Sequence, residues 1–112
     1  MKDSLIKVKN INDLKNILYQ VCGVNSQQTL ANHIGINKST LSRILANSVA
    51  MKTGPQIENI EKIVCVLQSG IEANEKEIRE KVYTLVYGED YVQERLVEYE
   101  TWNRSKAKSG SP

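Results

Sequence analysis

The chain has 112 residues, of which 40% are hydrophobic and 25% are charged, and its formal net charge is +2. This length and composition fit one globular domain, and no apolar stretch approaches the roughly 20 residues that a membrane-spanning helix needs. The first ten residues also lack the pattern of a secretory signal, so we expect a cytoplasmic protein that does not bind membranes.

The charges are distributed unevenly along the chain. Residues 1–54 carry seven basic side chains against two acidic ones, whereas residues 55–103 carry five basic side chains against eleven acidic ones. A basic first half suits a polyanionic partner, because binding releases the counterions of the polyanion. An acidic second half should then face away from that partner. Chance asymmetry between two solvated faces is the alternative.

Apolar residues recur at helical spacing along most of the chain, and the alternation typical of strands is nearly absent. In chain order, the predicted helices cover residues 11–22, 27–34, 38–46, 55–70, 75–87 and 89–103. Candidate N-terminal caps are Ser26, Asn37, Thr53 paired with Gln56, and Asn74 paired with Glu77. Candidate stops are Gly23, Gly35, Asn47, Gly70 and Gly88, and Pro55 suits a first helical turn.

Short helices and tight connections predict a compact bundle over residues 1–70. Residues 71–104 are predicted to form a helical extension, in which the acidic and basic side chains of the fifth helix make a solvated, salt-bridged face. Residues 105–112 are predicted to be a disordered tail.

Nearly all the aromatic residues fall within the predicted extension, namely Tyr83, Tyr87, Tyr91, Tyr99 and Trp102. Aromatic enrichment is typical of interfaces between subunits or partners. The same rings can instead cap a small core, and both interpretations stay open at this point.

Cysteine and histidine give no basis for a metal site or a catalytic centre. Cys22 and Cys65 lie far apart in apolar helical stretches and are expected to be small core residues. His33 has no acid or thiol near it in sequence and is expected on the surface. Without a CxxC motif or a phosphate-binding glycine loop, we predict neither a cofactor nor enzymatic activity.

The segment from Gln27 to Asn47 has the residues that two steeply crossed helices need. Ala31 is small enough for the point of contact, and Gly35 allows a sharp reversal because glycine adopts positive φ without steric cost. Apolar residues that can lock the second helix of the pair onto the first are Leu30, Ile34, Ile36, Leu41 and Ile44.

The outer face of the third predicted helix would then be polar, rich in hydrogen-bond donors and free of carboxylates. It carries Lys38, Ser39, Thr40, Ser42 and Arg43. An ordinary solvated face mixes both signs of charge. An acid-free face with two cations therefore suits insertion between the phosphate backbones of duplex DNA.

This segment resembles the helix-turn-helix of the Cro and lambda-repressor-like (XRE-type) family of prokaryotic and phage regulators. The matching positions are Gln27, Leu30, Ala31, Ile34, Gly35, Leu41 and Ile44. The run from Gly35 to Leu45 is also similar to the recognition helix of the LacI family, but that family continues into a large sugar-binding domain, which this chain is too short to hold. The resemblance covers residues 11–70 and implies an all-α fold, a compact lambda-repressor-like helix-turn-helix bundle with one or two additional C-terminal helices.

The resemblance also implies roles for individual residues. Side chains facing base edges would be Lys38, Ser39, Thr40 and Arg43, with Arg43 the best candidate for bidentate recognition of guanine. Contacts to DNA phosphates would come from Gln27, Gln28, Ser42, Asn47 and Lys52. Ala46 stands where the family often has a phosphate-binding asparagine, and Asn47 would substitute for it. Lys7 and Lys9 would form an arm along the phosphates.

Two functions from different classes follow as hypotheses. The first is a sequence-specific transcriptional regulator, a repressor of phage or mobile-element type that binds a palindromic operator as a homodimer through residues 72–102. The second is an antitoxin or anti-CRISPR-type inhibitor whose C-terminal helices bind a protein partner, with autoregulatory DNA binding. A weaker third hypothesis is a module that recruits a recombinase or replication factor.

Overall fold

Six α-helices and no strands form the part of the chain that the computed structural model describes, residues 8–46 and 56–109, with side chains up to residue 106. The helices are α1 (Ile11–Cys22), α2 (Gln27–Ile34), α3 (Lys38–Leu45), α4 (Ile57–Gly70), α5 (Glu75–Tyr87) and α6 (Val92–Ser109). The predicted fold class, an all-α helix-turn-helix bundle with additional C-terminal helices, is confirmed.

Side-chain caps begin most of the helices. Ser26, Asn37 and Asn74 accept backbone N–H groups at the starts of α2, α3 and α5, as predicted. Asn10 caps α1 in the same way by accepting the N–H of Asp13 at 2.8 Å, which the sequence analysis did not identify. These caps satisfy donors that would otherwise lack a partner inside the helix, so each start is defined locally.

The prediction for the start of α4 was wrong. Gln56 is the N-cap, without a side-chain hydrogen bond, and the first helical residue is Ile57. The predicted capping box placed the cap at Thr53 instead. Both Thr53 and Pro55 lie outside the described residues.

The bounds of α6 also differ from the prediction. The helix begins at Val92 rather than Glu89 and continues to Ser109, so residues 105–109 are helical where a disordered tail was predicted. No glycine or proline occurs between Tyr91 and Ser109 to end the helix. Lys106 also lies over the Trp102 ring, 5.0 Å from its centre, which favours the helical backbone there.

One buried hydrophobic cluster contains residues from all six helices. Its members include Leu14, Leu18, Leu30, Leu41, Ile44, Ile60, Leu67, Ile78, Val82, Tyr83 and Val92. The cluster therefore continues past residue 70, where the sequence predicts the boundary of an extension. Because α5 places Ile78, Val82 and Tyr83 at 0% exposure, this helix is part of the same core as the helix-turn-helix.

Of the aromatic residues after position 80, two are buried and three, including Tyr91, are partly buried against the core. Tyr83 and Tyr87 are buried with their ring centres 5.5 Å apart, so the core interpretation holds for these two. Tyr99 and Trp102 are partly buried against the core and stack along α6, with ring centres 6.0 Å apart.

The two cysteines have different environments. Cys22 is half-buried, and burial raises the pKa of its thiol. Cys65 is exposed, which contradicts the prediction of a core residue. The inward positions of α4 are Ile60, Ile63, Val64 and Leu67, so the helical period directs residue 65 outward. His33 is exposed, as predicted.

No helix within the described ranges is long and apolar enough to cross a membrane. The same residues bring together no group of three or more His, Cys, Asp or Glu side chains that would hold a metal ion.

Candidate nucleic-acid interface

A three-residue turn joins α2 to α3 and is held at both ends by hydrogen bonds. Gly35 has φ +91°, which favours glycine, and its N–H donates to the Ala31 carbonyl at 2.8 Å. The N–H of Ile36 donates to the same carbonyl at 3.1 Å. On the other side, the Asn37 side chain accepts the N–H of Ser39 at 2.8 Å. The reversal between the two helices is therefore fixed by local contacts.

The inner faces of α2 and α3 are buried, and this orients the outer face of α3. Ala31 has 0% exposure, as expected of a small residue at a helix contact. The other buried positions are Leu30 and Ile34 on α2 and Leu41, Ile44 and Leu45 on α3. With three of its eight residues buried on one side, α3 cannot rotate about its axis without exposing apolar surface.

The residues predicted to read bases lie on the opposite side of α3. Lys38, Ser39 and Arg43 are exposed, as is Ser42, which was predicted to bind phosphate. Thr40 is half-buried and lies at the edge of this face, because it is adjacent on the helix surface to the buried Ile44. Neither Lys38 nor Arg43 forms an ion pair with any described residue.

The first turns of α2 and α3 contain no acidic residue. Their free N–H groups and helix dipoles therefore keep an uncompensated positive potential, which favours anions. Gln27 is half-buried and Gln28 is exposed in the first turn of α2. The side-chain amide nitrogen of Gln28 donates to the Oδ1 atom of Asn32 at 3.3 Å.

Negative charge is absent from this whole region of the chain. No acidic residue occurs between Asp13 and Glu58, whereas eleven acidic residues occur from Glu58 to Glu100. Lys9 is exposed just before α1. The remaining predicted contacts, Lys7, Asn47 and Lys52, lie outside the described residues.

A contact that the sequence analysis missed connects α4 to the turn. The ammonium group of Lys62 donates to the Gly35 carbonyl at 3.1 Å, across 27 residues of sequence. Carbonyls at a helix C-terminus lack partners within the helix, and a cation there is favourable. Lys62 thus supports the end of α2 from outside the helix-turn-helix. No local pattern predicts this contact, because it depends on how α4 packs against α2.

A buried ion pair next to Lys62 was also missed. Arg79 on α5 donates from Nε and Nη2 to the two carboxylate oxygens of Glu61 at 2.8 and 2.7 Å, and Tyr83 donates its hydroxyl to Glu61 at 2.7 Å. The predicted solvated salt bridge within α5 exists between Arg79 and Glu75 at 3.0 Å, but Arg79 itself is buried.

These contacts determine the charge states of the network. Burial alone would lower the pKa of Arg79, but the hydrogen bonds and charge of Glu61 outweigh burial, and the pKa is raised. For Tyr83, burial and the hydrogen bond to Glu61 both raise the pKa. Arg79 therefore stays charged and Tyr83 stays neutral, which joins α5 firmly to the helix that carries Lys62.

Comparison of the chain with protein-family models, curated proteins and solved structures found no match. The geometry and charge of α2 and α3 are therefore the basis for assigning a function.

Proposed function

We propose that this protein is a sequence-specific DNA-binding regulator that inserts α3 into the major groove. The observation that carries the proposal is the outer face of α3, where Lys38, Ser39, Ser42 and Arg43 are exposed and no carboxylate is present. An α-helix with side chains is about 10–12 Å across, and the major groove of B-DNA is about 12 Å wide. The predicted resemblance to Cro and lambda-repressor-like regulators agrees with this reading.

The proposed contacts divide into base recognition and phosphate binding. Arg43 lies one turn after Ser39, and its guanidinium would bind the O6 and N7 atoms of a guanine in two hydrogen bonds. Gln27, Gln28 and Ser42 would contact phosphates around the groove, with the positive ends of both helices adding attraction.

We further propose that two copies act together on a palindromic operator, as a phage or mobile-element repressor in the cytoplasm. A single eight-residue recognition helix contacts few base pairs, and two half-sites about 34–36 Å apart would provide the missing affinity. Because Tyr83 and Tyr87 are buried within one copy, pairing through residues 72–102 would use the outer surface of α6, where Val97 is 62% exposed.

The proposal is tested by selecting duplexes from a random pool on the purified protein. We expect enrichment of a two-fold symmetric sequence, and then a loss of about 1–3 kcal/mol in binding when Arg43→Ala is measured on that duplex. Sequence preference should relax at one base pair of each half-site. Arg104→Ala, an exposed cation on α6, is the matched control. Unchanged affinity and preference in Arg43→Ala would rule out base reading by α3.

A second candidate function, an inhibitor or antitoxin that binds a protein, is favoured by one observation. Val97 is the one large hydrophobic residue that is exposed in the described part of the chain. Its helix carries three acidic residues, Glu94, Glu98 and Glu100, and Glu89 and Asp90 lie just before the helix. Exposed apolar surface next to charged residues suits a partner.

A substitution at Val97 distinguishes the two functions. Deleting α5 and α6 would remove core residues, so Val97→Glu is the cleaner variant. A regulator that pairs through α6 should become monomeric in sedimentation and bind the selected duplex more weakly. An inhibitor should keep its DNA affinity and lose its protein partner.

A further inference from the structure

The carbonyl of Gly35 lies where α2 ends and the turn to α3 begins. The N–H groups of Gly35 and Ile36 both donate to the Ala31 carbonyl, at 2.8 and 3.1 Å. The Gly35 carbonyl, in contrast, accepts no backbone N–H from any described residue. An acceptor at the end of a helix has to find its donor outside the helix. Here the donor is the ammonium group of Lys62 on α4, 3.1 Å away.

The residues beside Lys62 on α4 fix the direction of its side chain. Ile60 and Ile63 are 0% exposed, and Glu61 binds Arg79 of α5 through both carboxylate oxygens. Successive residues of an α-helix point about 100° apart. Because α4 is anchored on both sides of residue 62, it cannot rotate about its axis without breaking the ion pair or exposing the isoleucines. Lys62 is therefore directed at the turn between α2 and α3.

The contact between Lys62 and Gly35 lies at the surface of the molecule. Lys62 is half-buried, Gly35 is exposed, and Lys62 also lines a groove of about 410 Å³ between α4 and α6. Loss of the ammonium group would therefore leave neither a buried charge nor an unsatisfied carbonyl, and we expect the chain to stay folded. A water molecule would satisfy the carbonyl, but it would not connect the turn to α4.

We infer that Lys62 is a positioning residue for DNA recognition, which connects the turn to α4 and so holds α3 in one orientation. The inference rests on the proposed function, because the orientation of α3 matters for binding only if α3 reads DNA. Contacts with base edges need that orientation, whereas the sequence-independent attraction to phosphates is less demanding. Where the binding orientation is populated only part of the time, the apparent affinity falls by the same fraction.

Lys62→Met tests the inference, because methionine removes the ammonium group and keeps an apolar stem. We expect this variant to bind the selected duplex about three- to tenfold more weakly than the unaltered protein, as for loss of one hydrogen bond, and a scrambled duplex within about twofold. Lys81→Met, which removes a half-buried lysine of α5, is the control for lost charge and should change neither affinity. Unchanged binding of the selected duplex by Lys62→Met would overturn the positioning role.

The same measurements distinguish positioning from a direct phosphate contact by Lys62. A phosphate contact would weaken both duplexes equally in Lys62→Met and reduce the salt dependence by about 0.9, and this result would overturn the inference. Lys62→Arg keeps a charged donor and should bind the selected duplex within about twofold of the unaltered protein. A loss in Lys62→Arg as large as that in Lys62→Met would show that donation from residue 62 does not position α3.

Amide hydrogen exchange tests the contact without any DNA. The N–H groups of Gly35 and Ile36 close the turn on Ala31, so they should exchange faster in Lys62→Met and not in Lys81→Met. Unchanged exchange would overturn the role of Lys62 in holding the turn. If the duplex selection enriches no sequence while exchange at Ile36 rises, the proposed function is wrong and the contact stands as a structural one. If a duplex is selected and Lys62→Met binds it normally, the proposed function stands and the positioning role is overturned.

Discussion

At the scale of single residues, Glu61 accepts the polar contacts that join α4 to α5. Both of its carboxylate oxygens bind Arg79, and one also accepts the hydroxyl of Tyr83. The side chains of Glu61 and Arg79 are each 11% exposed. A charge left unpaired in such a place is costly, because little water can replace the lost partner.

We therefore expect Glu61→Gln to lower the free energy of unfolding by about 2–3 kcal/mol. The amide of glutamine keeps part of the hydrogen bonding to Arg79 and Tyr83. The charge of Arg79, however, is then opposed only by Glu75. Urea denaturation followed by circular dichroism measures the change. Glu58→Gln, an exposed glutamate one turn earlier on the same helix, should change stability by less than about 0.5 kcal/mol. Similar losses in the two variants would contradict this role of Glu61.

The raised pKa of Tyr83 predicts that the folded protein loses stability at alkaline pH. Burial and the hydrogen bond to Glu61 raise its pKa above the ordinary value of 10.0, so the folded chain keeps the phenolic proton where the unfolded chain releases it. Stability from this group is therefore present below pH 10.0 and falls as the pH rises above that value.

Tyr83→Phe cannot ionise at this position, so its free energy of unfolding should fall less steeply between neutral pH and about pH 11 than that of the unaltered chain. Chemical denaturation at several pH values measures both slopes. Tyr87, whose pKa burial also raises, keeps its contribution in this variant. Parallel curves for the two proteins would show that Tyr83 contributes nothing to the alkaline transition.

At the scale of elements, α3 depends on its cap and its packing. An isolated helix shorter than about 12–15 residues is marginal in water, and α3 has eight residues. The Asn37 side chain accepts the Ser39 N–H at 2.8 Å, and Asn74 caps α5 through the Glu77 N–H at the same distance. The two asparagines form a matched pair, one on the candidate interface and one remote from it.

Asn37→Ala and Asn74→Ala should each lower stability by about 1 kcal/mol, because each removes an N-terminal cap. If α3 binds DNA as proposed, only Asn37→Ala should also weaken binding to the selected duplex under conditions where both variants stay folded. Anisotropy of a labelled duplex measures the binding. Equal DNA affinities of the two variants would show that the start of α3 takes no part in DNA recognition.

The helices also differ in how accurately the sequence predicted where they begin and end. Ser26, Gly35 and Asn37 act on backbone groups no more than four residues away, and the predicted bounds of α2 agree with the structure. The start of α4 and the end of α6 were predicted wrongly. In α6, Lys106 contacts the Trp102 ring one turn earlier, and a composition rule for disorder does not register such a contact.

At the scale of the whole molecule, the acidic residues are concentrated in the C-terminal half of the described chain, whereas α2 and α3 carry none. The candidate interface on α2 and α3 has no acidic residue, and the acidic residues of the described chain after Asp13 lie in residues 58–100. Such a separation orients a protein on a polyanion, because the acidic part is repelled while the basic part is attracted.

Binding to the selected duplex should therefore weaken steeply with salt, and the logarithm of the affinity should fall linearly with the logarithm of the salt concentration. Lys52→Ala should reduce the steepness of this dependence by about 0.9, the value for one phosphate contact, because the resemblance assigns Lys52 to a DNA phosphate. Lys81→Ala, on α5, should leave the steepness unchanged. A salt-independent affinity would be incompatible with phosphate binding.

The sequence by itself determined the helical class, the caps of α2, α3 and α5, and the set of polar side chains on α3, since all of these follow from helical periodicity and contacts within a few residues. Only the tertiary structure decided that Cys65 is exposed, that Lys62 supports Gly35 across 27 residues and that Arg79 pairs with Glu61 across 18. These contacts form when separate helices pack together. Only that packing buries an ion pair away from water or encloses a groove.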